Sequence, residues 1–212
     1  MNLDMATHKT ATLRTQQKQA RYQAMINAAK SLFAQCGYEA TTIEMIAERA
    51  FVSTPTVYNY FGTKSALLVN VIAQGDQLII AALKATVKTP KASAEAEISK
   101  VLILMVRMSL EIMDPKTWRH AFAITVLDAN NEISDGYAQL NNTLYDVIED
   151  LLTILVRQGK LPNHTDIPHL RGLFERLNHA LFGEVISDDK MTFEQYQALI
   201  RSYVNTIIGG IK

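Results

Sequence analysis

The 212-residue chain holds a single cysteine, Cys36. One sulfur makes no internal disulfide and supplies no cysteine-based zinc site. It falls on the apolar side of a helical stretch and is expected as a small core residue. Long apolar runs are missing too. None exceeds six residues, as in Val101 to Val106, where a bilayer span needs about 20. The opening stretch MNLDMATHKTATLRTQQKQ lacks the apolar core of a signal peptide. A cytoplasmic location with no membrane partner is expected. No segment alternates apolar and polar residues, so strands are not expected. Internal repeats and low-complexity tracts are absent. Enzymatic signatures are lacking: no Gly-rich phosphate loop behind a strand, no serine elbow, no carboxylates spaced across a pocket. His164, Asp166 and His169 crowd a loop at no recognised ligand spacing. The chain is read as non-enzymatic, with no catalytic residues, cofactor or metal.

Net charge is zero, which by itself argues against a nucleic-acid partner. Its distribution does not. Residues 1–64 hold seven Lys/Arg against four acids, and the remainder holds 14 against 17. This asymmetry is a modest sign of a polyanion-facing N-terminal segment. The first dozen residues are expected to be disordered or to form a basic arm with Arg14, Lys18 and Arg21.

Residues 41–68, TTIEMIAERAFVSTPTVYNYFGTKSALL, carry most of the information. Thr41 and Glu44 have capping-box spacing, with Thr42 as the alternative cap. Ile43, Ile46, Ala47 and Ala50 follow at helical steps. Ser53 or Thr54 caps a second helix, with Pro55 in its first turn. That helix runs from about Thr54 to Phe61. Val57 and Phe61 point inward, leaving Thr54, Thr56, Tyr58, Asn59 and Tyr60 mostly outside. A helix-turn-helix unit needs this division, because the N-terminal part of its second helix meets base edges. Threonine hydroxyls and methyls suit base contacts, and the tyrosines reach phosphates. Lys64, in the first turn of the next helix, is unfavourable to the macrodipole unless a phosphate lies nearby. Upstream, Tyr22, Met25, Ile26, Ala29, Leu32, Phe33 and Cys36 form one face of a helix over 15–36, stopped by Gly37.

The run from Arg21 to Leu68 resembles the N-terminal domain of the TetR family of bacterial transcriptional regulators. The matching pieces are AAKSLFAQCGYEATTIEMIAERA, VSTPTVYNYF and GTKSALL. One departure is Phe51, where the family often has Gly. Phenylalanine adopts positive φ only with strain, so either the turn differs or Phe51 packs under the third helix. The resemblance implies an all-α chain: a DNA-binding domain over 1–63, and an effector-binding and dimerisation domain over 64–212. It implies DNA contacts from Thr42, Thr54, Pro55, Thr56, Tyr58, Asn59, Tyr60 and Lys64. It also implies a homodimer through the last two helices on a palindromic DNA operator. A small apolar or amphipathic effector would release a repressor from that site. The alternative is an architectural DNA-binding homodimer without a ligand.

Periodicity predicts helices over 64–88, 93–113, 116–130, 134–158, 167–186 and 192–208. Asp114-Pro115 is a stop and restart. Leu78 is expected inside the first of these helices, Val126 inside the third and Leu140 inside the fourth. Met105, Met108, Trp118, Phe122 and His120 are candidate ligand contacts, with plain core packing as the alternative. His120 is expected to be the buried polar group. Arg107 and Glu111, four apart, are expected to pair on the surface. Gly172 and Gly183 would let another helix approach closely.

Overall fold

The computed structural model describes residues 3–127, 132–187 and 191–211, with side chains over 13–124, 139, 141–187 and 191–211. The described residues are helical and contain no strand. The elements are α1 (Leu3–Ala40), α2 (Ile43–Arg49), α3 (Thr54–Phe61), α4 (Lys64–Val87), α5 (Ala94–Ile112), α6 (Pro115–Leu127), α7 (Glu132–Arg157), α8 (Ile167–Ser187) and α9 (Phe193–Gly209). Two compact units divide the chain, Met1–Val71 and Ile72–Lys212. The division falls inside α4, eight residues past the boundary read at the start of that helix.

In the first unit, α2 packs on α1 and α3 on α2. Met25, Ile26, Ala29 and Phe33 are wholly buried, with Ile46 and Val57 facing them from the later helices. The backbone of α1 begins well before the predicted start at Thr15, so helix stands where an arm was expected. Gly37 interrupts it at φ 79°, a conformation glycine adopts without a Cβ penalty. Cys36, just before the kink, is exposed rather than buried. The end of that apolar face is covered by Tyr38, whose ring meets Phe33 at 5.5 Å.

The second unit is built on α5 against α9, α7 against α8 and α6 against α8. Asp114 caps α6 by accepting the Lys116 amide at 2.9 Å and the Thr117 amide at 3.1 Å. Thr192 and Gln195 form a capping box at the start of α9. Asp166 accepts the His169 amide in the first turn of α8, which gives that loop carboxylate a local backbone partner. Arg171 joins α8 to α7 through Asp146 at 3.2 Å and Glu149 at 3.6 Å. Arg107 and Glu111 do not pair; Arg107 instead lines a groove with Arg201 of α9. By length and composition α4 would suffice to cross a membrane, but half of that window is buried inside the protein. Leu78 is 62% exposed. It sits beside the buried line Leu68, Ile72, Asp76, Ile79, Leu83 rather than on it. Val126 and Leu140 lie outside the described side chains.

Candidate nucleic-acid interface and ligand pocket

The cap of α2 is Thr42, whose hydroxyl accepts the Met45 amide at 3.3 Å. Thr41 is not the cap. It is buried, and its hydroxyl donates to the Gly37 carbonyl at 2.7 Å, tying the kink of α1 to the following turn. α2 ends in paired bonds, Val52 amide to Ala47 carbonyl at 3.0 Å and Phe51 amide to Glu48 carbonyl at 3.1 Å. This is the Schellman pattern, in which the residue after the cap takes a left-handed conformation. That residue is Phe51, at φ 54° and 96% exposed. The backbone turn is kept, and the ring does not pack beneath α3.

Ser53 caps α3, accepting the Thr56 amide at 3.4 Å, and its hydroxyl meets that of Thr56 at 2.8 Å. Val57 and Phe61 anchor the helix, and Gly62 ends it at φ 72°. On the other side Pro55, Tyr58 and Asn59 are exposed, with Thr54, Thr56 and Tyr60 half-buried. Tyr60 donates its hydroxyl proton to the Lys18 carbonyl at 3.3 Å. Its ring and Asn59 border a groove of about 490 Å³ whose far wall is Thr15, Lys18, Gln19 and Tyr22 of α1. Arg14, Lys18 and Arg21 are all exposed along that part of α1.

Lys64 is engaged differently from a side chain waiting for phosphate. Its ammonium donates to the carbonyls of Tyr38 at 2.9 Å, Thr41 at 2.9 Å and Glu39 at 3.4 Å. It also stands 4.3 Å from the centre of the Tyr38 ring. The cation thus sits at the carbonyl end of α1, where a positive charge is favourable, while its backbone starts α4. Desolvation lowers its pKa, against the opposing charge of Glu39.

In the second unit a small cavity of about 30 Å³ lies among α4, α5, α6, α7 and α8. Met105, Trp118 and Phe122 line it, as do Leu144 and Phe182. Met108 and His120 are half-buried and do not line it. The buried polar groups lie elsewhere than expected: Asp76, Tyr145, Asn178 and, partly buried, His179. Tyr196 donates its hydroxyl proton to Asn178 Oδ1 at 2.9 Å, and Asn178 Nδ2 donates to the Tyr145 hydroxyl at 2.9 Å. His179 Nε2 meets Asn141 Oδ1 at 3.1 Å. Burial pushes the His179 pKa down, with Glu175 opposing. Trp118 spends its one donor on the Ser109 carbonyl at 2.9 Å. The signal for two of these groups was present in the sequence. Asp76 and Asn178 interrupt apolar stripes at core spacing, between Ile72 and Ile79 and between Phe174 and Leu181.

A short helix anchored on one side, bare and polar on the other, and held by a capped turn defines a helix-turn-helix DNA-binding regulator. Residues 25–71 match the model of bacterial regulatory proteins of the tetR family. The chain is 24% identical over 200 residues to the fatty acid metabolism regulator protein of Bacillus subtilis (strain 168), covering 92% of this chain and 97% of that one. It is 38% identical over 77 residues to the HTH-type transcriptional regulator RutR of Escherichia coli (strain K12), covering 36% of each. The crystal structure of FadR from Bacillus subtilis in complex with stearoyl-CoA superposes with a TM-score of 0.65 at 21% identity, over 90% of this chain and 100% of that one. Residues 25–71 thus match the tetR-family DNA-binding domain, and the chain as a whole is similar to transcriptional regulators of that family.

Proposed function

We propose that the protein is a homodimeric repressor that holds a palindromic operator and releases it when a small molecule enters the second unit. The observation that carries the DNA half is α3: Val57 and Phe61 are buried while Tyr58 is 49% exposed. Thr42, Thr54, Pro55, Thr56, Tyr58 and Asn59 are the residues we assign to DNA. Tyr60 reaches the same edge with its hydroxyl already donated within the protein. Two copies are required because one such helix spans few base pairs, whereas a two-fold pair reads two half-sites. α8 and α9 offer the surface for pairing. Leu173 and Tyr203 are exposed there, with Leu177, Leu199 and Ile207 half-buried. A Cβ at Gly183 would meet nothing within 4 Å in the single copy, so that face of α8 has room for a close neighbour.

The ligand half rests on the cavity among α4 to α8, an interior space lined by both aromatic and polar groups. An architectural protein without an effector has no use for such a lining. A protein of similar fold in complex with stearoyl-CoA supports a small-molecule effector for this chain. Repression would follow from occupancy of promoter DNA in the cytoplasm. The test is operator binding over a salt series. Specific binding weakens steeply with salt as phosphate contacts release counterions. Thr56→Ala and Tyr58→Ala should lower operator affinity with dimer mass and melting temperature nearly unchanged. A loss of folding in these variants would overturn the face assignment.

A further inference from the structure

The cavity lining contains one acid and no lysine or arginine. The acid is Asp76, 6% exposed, on the buried line of α4. No hydrogen bond or ion pair reaches it among the described residues. Its neighbours are not in the same position. Asn178 is fixed by both Tyr145 and Tyr196, His179 by Asn141, and Ser109 donates to the Met105 carbonyl at 3.0 Å. A buried carboxyl with no partner is costly, and an apolar residue there would complete the core without that cost. Such a group in a cavity marks a place made for something else. The rest of the wall is aromatic. Phe122 meets Phe182 edge-on at 5.7 Å, and Trp118 meets Phe182 edge-on at 5.2 Å. The cavity has room for a group the size of water or ammonium, and Phe122, Asn141 and His179 are the half-buried parts of its wall.

We propose that this cavity takes the head of a small organic cation, an amine carried on an apolar or aromatic body, with Asp76 as its counter-ion. The inference rests on the effector reading above and narrows it. The ammonium donates to the Asp76 carboxylate, and the body displaces Phe122 to lie against Trp118 and Phe182. Burial pushes the Asp76 carboxyl up to about 7, and a bound cation would return it to the ionised form. His179 and Tyr145 are the other titratable groups on the wall. His179, its pKa lowered by burial, stays neutral and brings no competing charge.

The test uses the full-length protein and three probes of one shape, benzylamine, benzyl alcohol and benzoate, at up to millimolar concentration. Thermal shift should rank benzylamine first and benzoate last, with a preference for the amine over the alcohol of about tenfold or more in Kd. Asp76→Asn should erase that preference. Asp76→Ala, which removes the charge and leaves space, serves if the asparagine variant does not fold. Benzoate binding as well as the amine, an unchanged ranking in both variants, or no shift with any probe would overturn the proposal. Operator release measured in parallel separates the two readings. Asp76-dependent amine binding without release keeps the cation site and removes the effector role. Release by benzoate or benzyl alcohol alone keeps the effector role and removes the cation.

Discussion

Phe51 keeps a turn that glycine makes freely. Its left-handed backbone costs about 1–3 kcal/mol, and its exposed ring recovers none of that by packing. Glycine would relieve the strain while loosening the unfolded chain by about 0.4–1 kcal/mol. Phe51→Gly should therefore raise stability by about 1 kcal/mol in chemical denaturation. A net loss would show that the ring makes contacts in solution. Asp76 carries a pH dependence of definite sign. Its folded pKa, about 7, lies above the ordinary 3.8. The fold thus favours the protonated acid, and that stabilisation is complete below pH ~4 and lost as pH rises through ~7. Asp76→Asn should be more stable than the parent at pH 8, by a few kcal/mol at about 1.4 kcal/mol per pKa unit. The gap should close only as pH falls to about 4 and below. Melting curves of both proteins at each pH check this, and their difference cancels the separate contribution of His179.

Helix starts and stops were legible because caps and breakers are local. Ser53, Pro55 and Asp114 mark the ends of elements as read from the sequence. The stripes were legible for the same reason, since side-chain direction follows spacing. What spacing could not provide is which group meets which across elements. Lys64 is the clearest instance. Its position in the first turn of α4 invited a phosphate, yet three carbonyls at and just past the end of α1 answer the same electrostatic need from within. Met108 and His120 share helices with true cavity residues but point elsewhere, while Asp76 and Asn178 reach the cavity from helices read as plain core. Lys64→Met should remove the tie between α1 and α4 and cost about 1–2 kcal/mol of stability. The salt slope of DNA binding should stay the same. A slope smaller by about one would return Lys64 to the phosphates.

For the whole molecule the question is how a chain of zero net charge holds a polyanion. In the proposed pair two copies would present two α3 faces, and doubling the contacts would raise affinity without raising the overall charge. Half-sites about 34–36 Å apart suit such a pair. Leu173 is 38% exposed and Tyr203 45% exposed on the proposed pairing helices. Replacing both with Glu should yield monomers in sedimentation velocity and lower operator affinity at least tenfold, with helix content retained. A dimer that persists would place the pairing surface elsewhere.

The lone sulfur of Cys36 stands on the outside of α1. Each polypeptide therefore carries one addressable thiol with no competitor, in the same compact unit as the reading helix. A nitroxide attached there would give a single spin–spin distance per assembled pair, so the movement of one copy against the other could be followed by ruler, with bare protein, operator or amine in the tube.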